Sequence, residues 1–218
     1  IVKPIIYEPT TFITDLILAG MGVYFANRLA DVYWQTFHPF HYNLTIGLYM
    51  FALGAFLGGI SHGFGPHFSA AMRDVVWKAA LVMIGLTTCY MLLSALSAVF
   101  PFERYKLLRW IAFLVTGVYI FTILRDSNFA NVVRFYAPAM IIVFLLMLYL
   151  YMDGNSPGSG YFLLGLIITL AGAAVQQSGF TIHKQFNHND LYHVIQMAGI
   201  WYIYKGGIIL RFLQPLQN

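Results

Sequence analysis

Long apolar stretches alternate with short polar breaks along the whole chain. Seven stretches reach the length of about 20 residues that a helix needs to cross a hydrocarbon core of about 30 Å. They cover 11–30, 44–64, 71–99, 107–125, 129–152, 160–179 and 189–212. In runs such as 141–151 the apolar residues occupy every side of a helix, whereas membrane strands would alternate apolar and polar residues. The pattern predicts an all-α membrane protein, a bundle of seven transmembrane helices.

The polar breaks are too short to hold a second domain. They carry turn-forming residues, as at Gly65-Pro66 and at 153–159. We therefore expect residues 1–218 to form one seven-helix transmembrane domain. Small residues cluster within the second and the sixth stretches, where they allow helices to pack closely in lipid. These residues are Gly54, Gly58, Gly59, Gly165, Ala171, Gly172 and Ala173.

The amino-acid composition is typical of an integral, multi-pass membrane protein. Hydrophobic residues make up 60% of the chain and charged residues only 9%, against about a quarter charged in soluble domains. The formal net charge of +4 comes from Lys and Arg scattered at the ends of the stretches, which fits membrane anchoring and not nucleic-acid binding. The single cysteine, Cys89, lies inside an apolar stretch, so neither a disulfide framework nor a Cys-based zinc site is available.

Ionisable residues gather on one side of the predicted bundle. With seven crossings, the N-terminus and the connections after the second, fourth and sixth helices share one side, here called side X; the other ends share side Y. Five of the seven histidines and five of the eight acidic residues belong to side X, whereas Lys and Arg divide six to six and favour neither orientation. Because ionisable groups at membrane depth are costly, this gathering indicates a functional site. Its members are His62, His67, His183, His188, His193, Glu8, Asp15, Asp74, Asp126 and Asp190.

A metal site is the first chemistry that such a cluster predicts. A catalytic zinc takes three protein ligands and keeps a fourth position for water, and neutral imidazole is a common ligand. His62, His188 and His193 can supply the three. On a helix His188 and His193 diverge by about 140°, whereas Asp190 and His193, three residues apart, share a face. Asp190 is therefore the substitute ligand for His188.

Not every histidine is expected at this site. His67 and His183 lie in predicted connections, where we expect them to be solvated or to face lipid headgroups. His38 and His41 stand among aromatic residues on side Y and fit an interfacial aromatic belt.

The candidate ligands also have structural alternatives. Taken singly, His62 and His193 each favour a hydrogen bond between helices over a role in a metal site. Asn189 or Asp190 could cap the seventh helix, and Asp15 could cap the first through nearby backbone groups. It is the joint placement of these residues on side X that favours a functional site.

Seven helices with a histidine closing the second, an aspartate opening the third and a two-histidine motif opening the seventh resemble a superfamily of membrane zinc hydrolases. That superfamily includes alkaline ceramidases, adiponectin receptors and GPI-remodelling proteins. In its pattern a serine lies four residues before the helix-two histidine, the aspartate follows about eleven residues after it, and the last motif is His-x-x-x-His. His62 matches the first histidine, Asp74 the aspartate and His193 the final histidine.

Two positions depart from that pattern. Gly58 stands at the serine position, with Ser61 beside His62 instead. Asn189 stands at the first position of His-x-x-x-His, with His188 one place earlier. Either the seventh helix starts with a local distortion that presents His188, or the site has lost a ligand.

The resemblance implies a zinc-dependent intramembrane hydrolase that acts on a lipid amide or ester, as ceramidases do. In such an enzyme zinc activates a water, Asp74 takes its proton and hands it to the leaving group, and Ser61 is a candidate donor to the oxyanion. Glu8 and Asp15, seven residues apart and so roughly on one helical face, could orient a ligand histidine or bind a second cation. Apolar and aromatic side chains would line a cavity for the membrane lipid.

A non-enzymatic protein is the alternative that the residues leave open. The same histidines and carboxylates would then form a structural metal site or a hydrogen-bonded cluster, in a receptor or in a subunit of a larger membrane complex. An open coordination position beside a lipid-sized cavity would favour the enzyme, and a closed four-ligand site the structural role. The segments 8–15, 58–63 and 186–193 are also similar to a separate seven-helix branch near the superfamily, which supports the fold more than the activity.

Overall fold

The structure, a computed structural model, describes residues 4–154, 156–183 and 186–210. These residues form seven α-helices and contain no strand, so the all-α prediction is confirmed. The helices are α1 (Pro9–Thr36), α2 (Pro39–Phe64), α3 (Ala70–Val99), α4 (Phe102–Arg125), α5 (Phe129–Met152), α6 (Ser159–Ser178) and α7 (His188–Ile209). A short 3₁₀ turn, Gly65–His67, follows α2.

Six helices, α1 to α6, are long and apolar enough to cross a membrane. Helix α7 is outside that set although its 22 residues are sufficient in length. Asp190, His193 and Gln196 lower its average hydropathy, but all three side chains are buried inside the protein. The composition of α7 therefore reflects polar groups that face the interior rather than lipid.

Several helices extend beyond the apolar stretches that predict them. Helix α1 continues from the predicted end at residue 30 to Thr36, and α2 begins at Pro39 rather than at residue 44. Proline is well suited to the first turn of a helix, and His38 before it accepts a hydrogen bond from the Phe40 N–H. Hydropathy detects the part of a helix that suits hydrocarbon, so the polar ends were missed.

Glycines bring α6 and α7 into close contact. A Cβ at Gly165 would lie 2.7 Å from the carbonyl oxygen of Gly199, and one at Gly206 would lie 2.7 Å from the backbone nitrogen of Phe162. Neither position has room for a larger residue. The packing role predicted for Gly165 is thus confirmed, and it joins two helices along a seam in which backbones touch.

The main hydrophobic core lies among α1, α2, α3, α5, α6 and α7. Helix α4 joins the bundle through two smaller clusters, one around Leu93 and Tyr105 and one around Leu81 and Tyr119. At side X the start of α1 reaches the end of α2, where the Tyr7 N–H donates to the carbonyl oxygen of Gly63 at 3.0 Å. These contacts place the first, second and last helices around one end of the core.

Candidate functional site

A mostly apolar cavity of about 360 Å³ lies among the helices. Helices α1, α2, α3, α5, α6 and α7 all contribute to its wall. Most of that wall is apolar, with residues such as Leu48, Leu81, Met91, Met140 and Leu166. Its polar lining includes Asp15, His62, Tyr192, His193 and Gln196. The cavity therefore combines space for an apolar chain with groups that can carry chemistry.

Asp15 and His193 form a buried pair in this lining. Asp15 is 4% exposed and His193 is 6% exposed, and Oδ1 of Asp15 lies 3.3 Å from Nε2 of His193. The second carboxylate oxygen of Asp15, Oδ2, is buried and has no hydrogen-bond partner. A buried carboxylate is stable only when it is paired or protonated, so each group fixes the protonation state of the other.

Thr14 holds the other nitrogen of the His193 ring. Its Oγ1 lies 2.9 Å from Nδ1 and 3.0 Å from the carbonyl oxygens of both Thr10 and Thr11. A hydroxyl has one proton. When that proton goes to a carbonyl of its own helix, Nδ1–H of His193 donates to Oγ1 and the Nε2 lone pair faces Asp15. A single proton is then shared between the carboxylate and the imidazole.

Asp190 belongs to the cap of α7. Its Oδ1 accepts from the Thr11 hydroxyl at 2.8 Å, and its Oδ2 accepts from the Asn187 N–H at 2.7 Å. The Asn187 side chain in turn accepts from the N–H groups of Asn189 and Asp190, which completes a capping box. The capping alternative for Asp190 is confirmed, although the N-cap itself is Asn187. Both carboxylate oxygens are therefore already engaged.

His62 pairs with Glu8 closer to the surface. Nδ1 of His62 lies 3.1 Å from a carboxylate oxygen of Glu8, and both side chains are partly exposed. Because Nδ1 is held by Glu8, Nε2 is the nitrogen that can act on a ligand in the cavity. Glu8 and Asp15 thus each contact one histidine.

Three of the candidate residues lie away from the cavity lining. Asp74 is exposed on α3 and forms a salt bridge of 2.8 Å with Lys78, one turn further along the helix. Ser61 is partly buried beside His62, and His188 is the first residue of α7. Neither lines the cavity. The structure thus joins His193 to Asp15 rather than to Asp74.

The described side chains do not form the zinc site that the resemblance implies. Within residues 4–154, 156–183 and 186–210, no three His, Cys, Asp or Glu side chains come together closely enough to hold an ion. Asp190 is committed to its cap, and His62 and His193 are the predicted ligands that line the cavity. The residues as placed therefore do not fit a three-ligand centre made of His62, His188, His193 and Asp190.

The remaining histidines divide between surface and core. His67 and His183 are exposed, as predicted, and Nε2–H of His67 donates to the carbonyl oxygen of Ile5 at 3.1 Å. His38 and His41 are 2% and 0% exposed, so their assignment to the aromatic belt was wrong. Both rings point into the protein at the start of α2, where Nδ1 of His41 lies 3.0 Å from the Thr36 hydroxyl.

Sequence reasoning gave no role to Thr11, Thr14 and Gln196. A signal for them exists in the spacing, because Asp190, His193 and Gln196 recur every three residues along α7. Thr11 and Thr14 repeat the same step on α1. Residues three apart share a helical face, so two polar faces of this kind can pair with each other.

The fold is that of an all-helical protein of the multi-pass membrane type. Its candidate site is a buried pair of a carboxylate and an imidazole in the lining of a mostly apolar cavity. The chain belongs to the family of unknown function DUF6962, whose model matches residues 10–211. A comparison with curated proteins finds no match, and a comparison with solved structures finds none either.

Proposed function

We propose that this protein is a seven-helix membrane hydrolase that cleaves an amide or ester bond of a lipid bound in the cavity. The observation that carries the proposal is the buried pair of Asp15 and His193 in the lining of a mostly apolar cavity. Acid and base groups with few water contacts are typical of catalytic sites. An apolar wall beside them suits an acyl chain.

A seventh crossing by α7 is part of this proposal. The helix has 22 residues, so at 1.5 Å per residue it is about 33 Å long, enough for a hydrocarbon core. Asp190, His193 and Gln196 are buried, and the side chain of Lys205 lies against the rings of Tyr161 and Trp201. These polar groups of α7 therefore need not contact lipid tails.

The chemistry of the site is proton transfer by the pair. A water that donates to Oδ2 of Asp15 would lose a proton to the carboxylate and imidazole as its oxygen attacks the lipid carbonyl. The positive charge that develops on His193 is accommodated because Nδ1–H donates to Thr14. The pair then returns the proton to the nitrogen or oxygen that leaves, which completes hydrolysis with no net change in the protein.

The test is hydrolysis by purified protein in phospholipid nanodiscs, using long-chain fluorogenic amides and esters. We expect turnover by the wild type and a loss of at least about 100-fold in Asp15→Asn and in His193→Asn, because general acid and base groups contribute about 10² to 10⁴. His67→Asn, which changes an exposed histidine, is the matched control and should keep full activity. Absence of turnover across the panel, or normal turnover by folded Asp15→Asn protein, would contradict the proposal.

Zinc stays a prediction that metal analysis of the same purified protein can decide. His62 and His193 are the two predicted ligands that line the cavity, so a His62→Ala, His193→Ala double variant is the comparison. About one zinc per chain in the wild type and none in the folded variant would support a metal-dependent enzyme. A folded wild type without zinc would exclude that form of the proposal and leave the Asp15 and His193 pair to act alone.

A non-enzymatic role has one observation in its favour. Two hydrogen bonds link the first helix, α1, to the last, α7. One joins Thr11 to Asp190, and the other joins Thr14 to His193. Such a polar clamp can exist for stability alone, in a receptor or in a subunit of a larger complex. Wild-type protein that binds lipids but hydrolyses none of the panel would favour this role.

A further inference from the structure

Three buried oxygen atoms in residues that line the cavity have no hydrogen-bond partner. They are Oδ2 of Asp15, Oε1 of Gln196 and Oγ1 of Thr169. The residues are 4%, 6% and 6% exposed, respectively. A buried polar atom without a partner is costly, so three around one cavity indicate that something else completes them.

The three residues meet α7 at His193, Gln196 and Gly199, positions three apart that turn by about 60° around the helix at each step. Asp15 pairs with His193, and Gln196 is one turn further on the same helix. Thr169 of α6 lies one more turn along, where its Oγ1 packs against Gly199 and leaves no room for a Cβ there. From His193 to Gly199 the helix rises about 9 Å. The unpartnered oxygens thus mark a polar row that follows α7 for about that length.

The two other threonine hydroxyls in the cavity wall are satisfied by their own helix. Thr87 donates to the carbonyl oxygen of Met83 at 2.8 Å, and Thr88 donates to that of Ile84 at 2.9 Å. Thr169 does not make the equivalent bond, although it also lies in the middle of a helix. Thr169 thus differs from the other threonines of the cavity wall, although the buried hydroxyl of Thr45, which is not in that wall, also has no partner.

The atoms of the row determine what they can bind. A carboxylate oxygen and an amide oxygen only accept hydrogen bonds, and a hydroxyl can both donate and accept, so O–H donors can complete all three atoms. An anionic head would be repelled by Asp15. Because the Asp15 carboxylate already faces His193, the row needs donors more than it needs a second cation.

We propose that Gln196 and Thr169 of this row bind the hydroxyl groups of a neutral, single-chain lipid whose head carries at least two O–H donors. Its chain lies along the apolar wall, and Oδ2 of Asp15 stays open to the attacking water. The inference deepens the proposed function by naming the class of lipid, and it rests on the same cavity. Binding is separable from hydrolysis, because a lipid with an ether bond can occupy the row without offering an amide or ester to cleave.

The test is equilibrium binding of radiolabelled 1-O-dodecylglycerol to the full chain in nanodiscs. Its matched control is the 2,3-di-O-methyl derivative, which has the same chain and head but no O–H donor. We expect saturable binding of the diol, at least about tenfold tighter than binding of the dimethyl derivative. Equal binding of the two compounds, or no saturable binding of either, would overturn the proposal whether or not the protein is a hydrolase.

Variants then locate the binding to the row. Thr169→Val and Gln196→Met each remove one acceptor while keeping the size of the side chain, and each should weaken diol binding about fivefold without changing the binding of the dimethyl derivative. Thr88→Val, at a hydroxyl already bonded within its helix, should bind the diol like the wild type. If Gln196→Met fails to fold, Thr169→Val decides alone. Diol binding that is unchanged in folded Thr169→Val protein would place the head elsewhere and overturn the assignment.

Discussion

The carboxylate of Asp15 has one oxygen facing His193 and one oxygen facing a gap in α2. That gap exists because residue 58 is glycine: a Cβ at Gly58 would lie 3.7 Å from either carboxylate oxygen, an ordinary contact distance. Gly58 has no side chain, so it offers no donor to Asp15 Oδ2.

Serine at residue 58 should stabilise the protein more than alanine does. Gly58→Ala tests the removal of a flexible glycine from a helix, which stabilises by up to about 1 kcal/mol. Gly58→Ser adds a hydroxyl that can donate to Asp15, and we expect a further gain of about 1 kcal/mol despite the weaker helix propensity of serine. Thermal unfolding should show this as a difference of about 2 to 4 °C. A serine variant no more stable than the alanine variant would mean that Oδ2 already has a partner, such as a bound water.

The sequence predicts that each of the seven helices exists, but not where each helix ends or which of its faces points into the protein. Each apolar stretch is a helix, the form in which a long apolar segment satisfies its own backbone hydrogen bonds. The end at Thr36 and the cap at Asn187 depend on polar side chains that hydropathy does not register. Which face of a helix points into the protein depends on the helices packed around it. The sequence alone could therefore place Asp74 on side X but could not show that it lies outside the candidate site. Its partner Lys78 at i+4 was the available hint that Asp74 faces outward.

The junction between α1 and α2 should make stability depend on pH. Burial lowers the pKa of His38 from its ordinary 6.5 to about 4, and its neutral ring accepts the Phe40 N–H. The folded pKa lies below the unfolded one, so the stabilisation is full above about pH 6.5 and is lost as the pH falls towards 4.

We expect the wild type to lose roughly 3 kcal/mol relative to His38→Asn over that range of pH. Asparagine keeps an oxygen that can cap α2 but does not titrate. Denaturant unfolding of both proteins in detergent at several values of pH measures the difference. Parallel curves for the two proteins would show that His38 is not protonated on unfolding.

At the scale of the whole molecule, the first and last helices close the bundle around the cavity. Thr11 and Thr14 of α1 meet Asp190 and His193 of α7, while α4 stays outside, attached by two small clusters. Sequence reasoning gathered these ionisable residues correctly on side X. It could not tell that α1, which carries two inconspicuous threonines, would be the helix that contacts α7.

A crossing by α7 predicts that the α6 to α7 connection and the end of the chain lie on opposite sides of the membrane. The only cysteine, Cys89, is buried, so introduced cysteines can be labelled selectively. We expect Thr181→Cys to react from the same side as Ser69→Cys and from the side opposite to Glu103→Cys. A reporter fused after residue 218 should be on the Glu103 side. A reporter on the Thr181 side would mean six crossings, with α7 not spanning the bilayer.

The glycine seam between α6 and α7 limits how the cavity can exchange its contents. The backbones of α6 and α7 touch at Gly165 and Gly199 and again at Gly206. The two helices cannot slide or separate without losing that contact, so they should move as one rigid unit. Any opening of the cavity would therefore involve the helices that face this pair and not a separation within the pair, and Val133 of α5 is a lining residue that is already exposed.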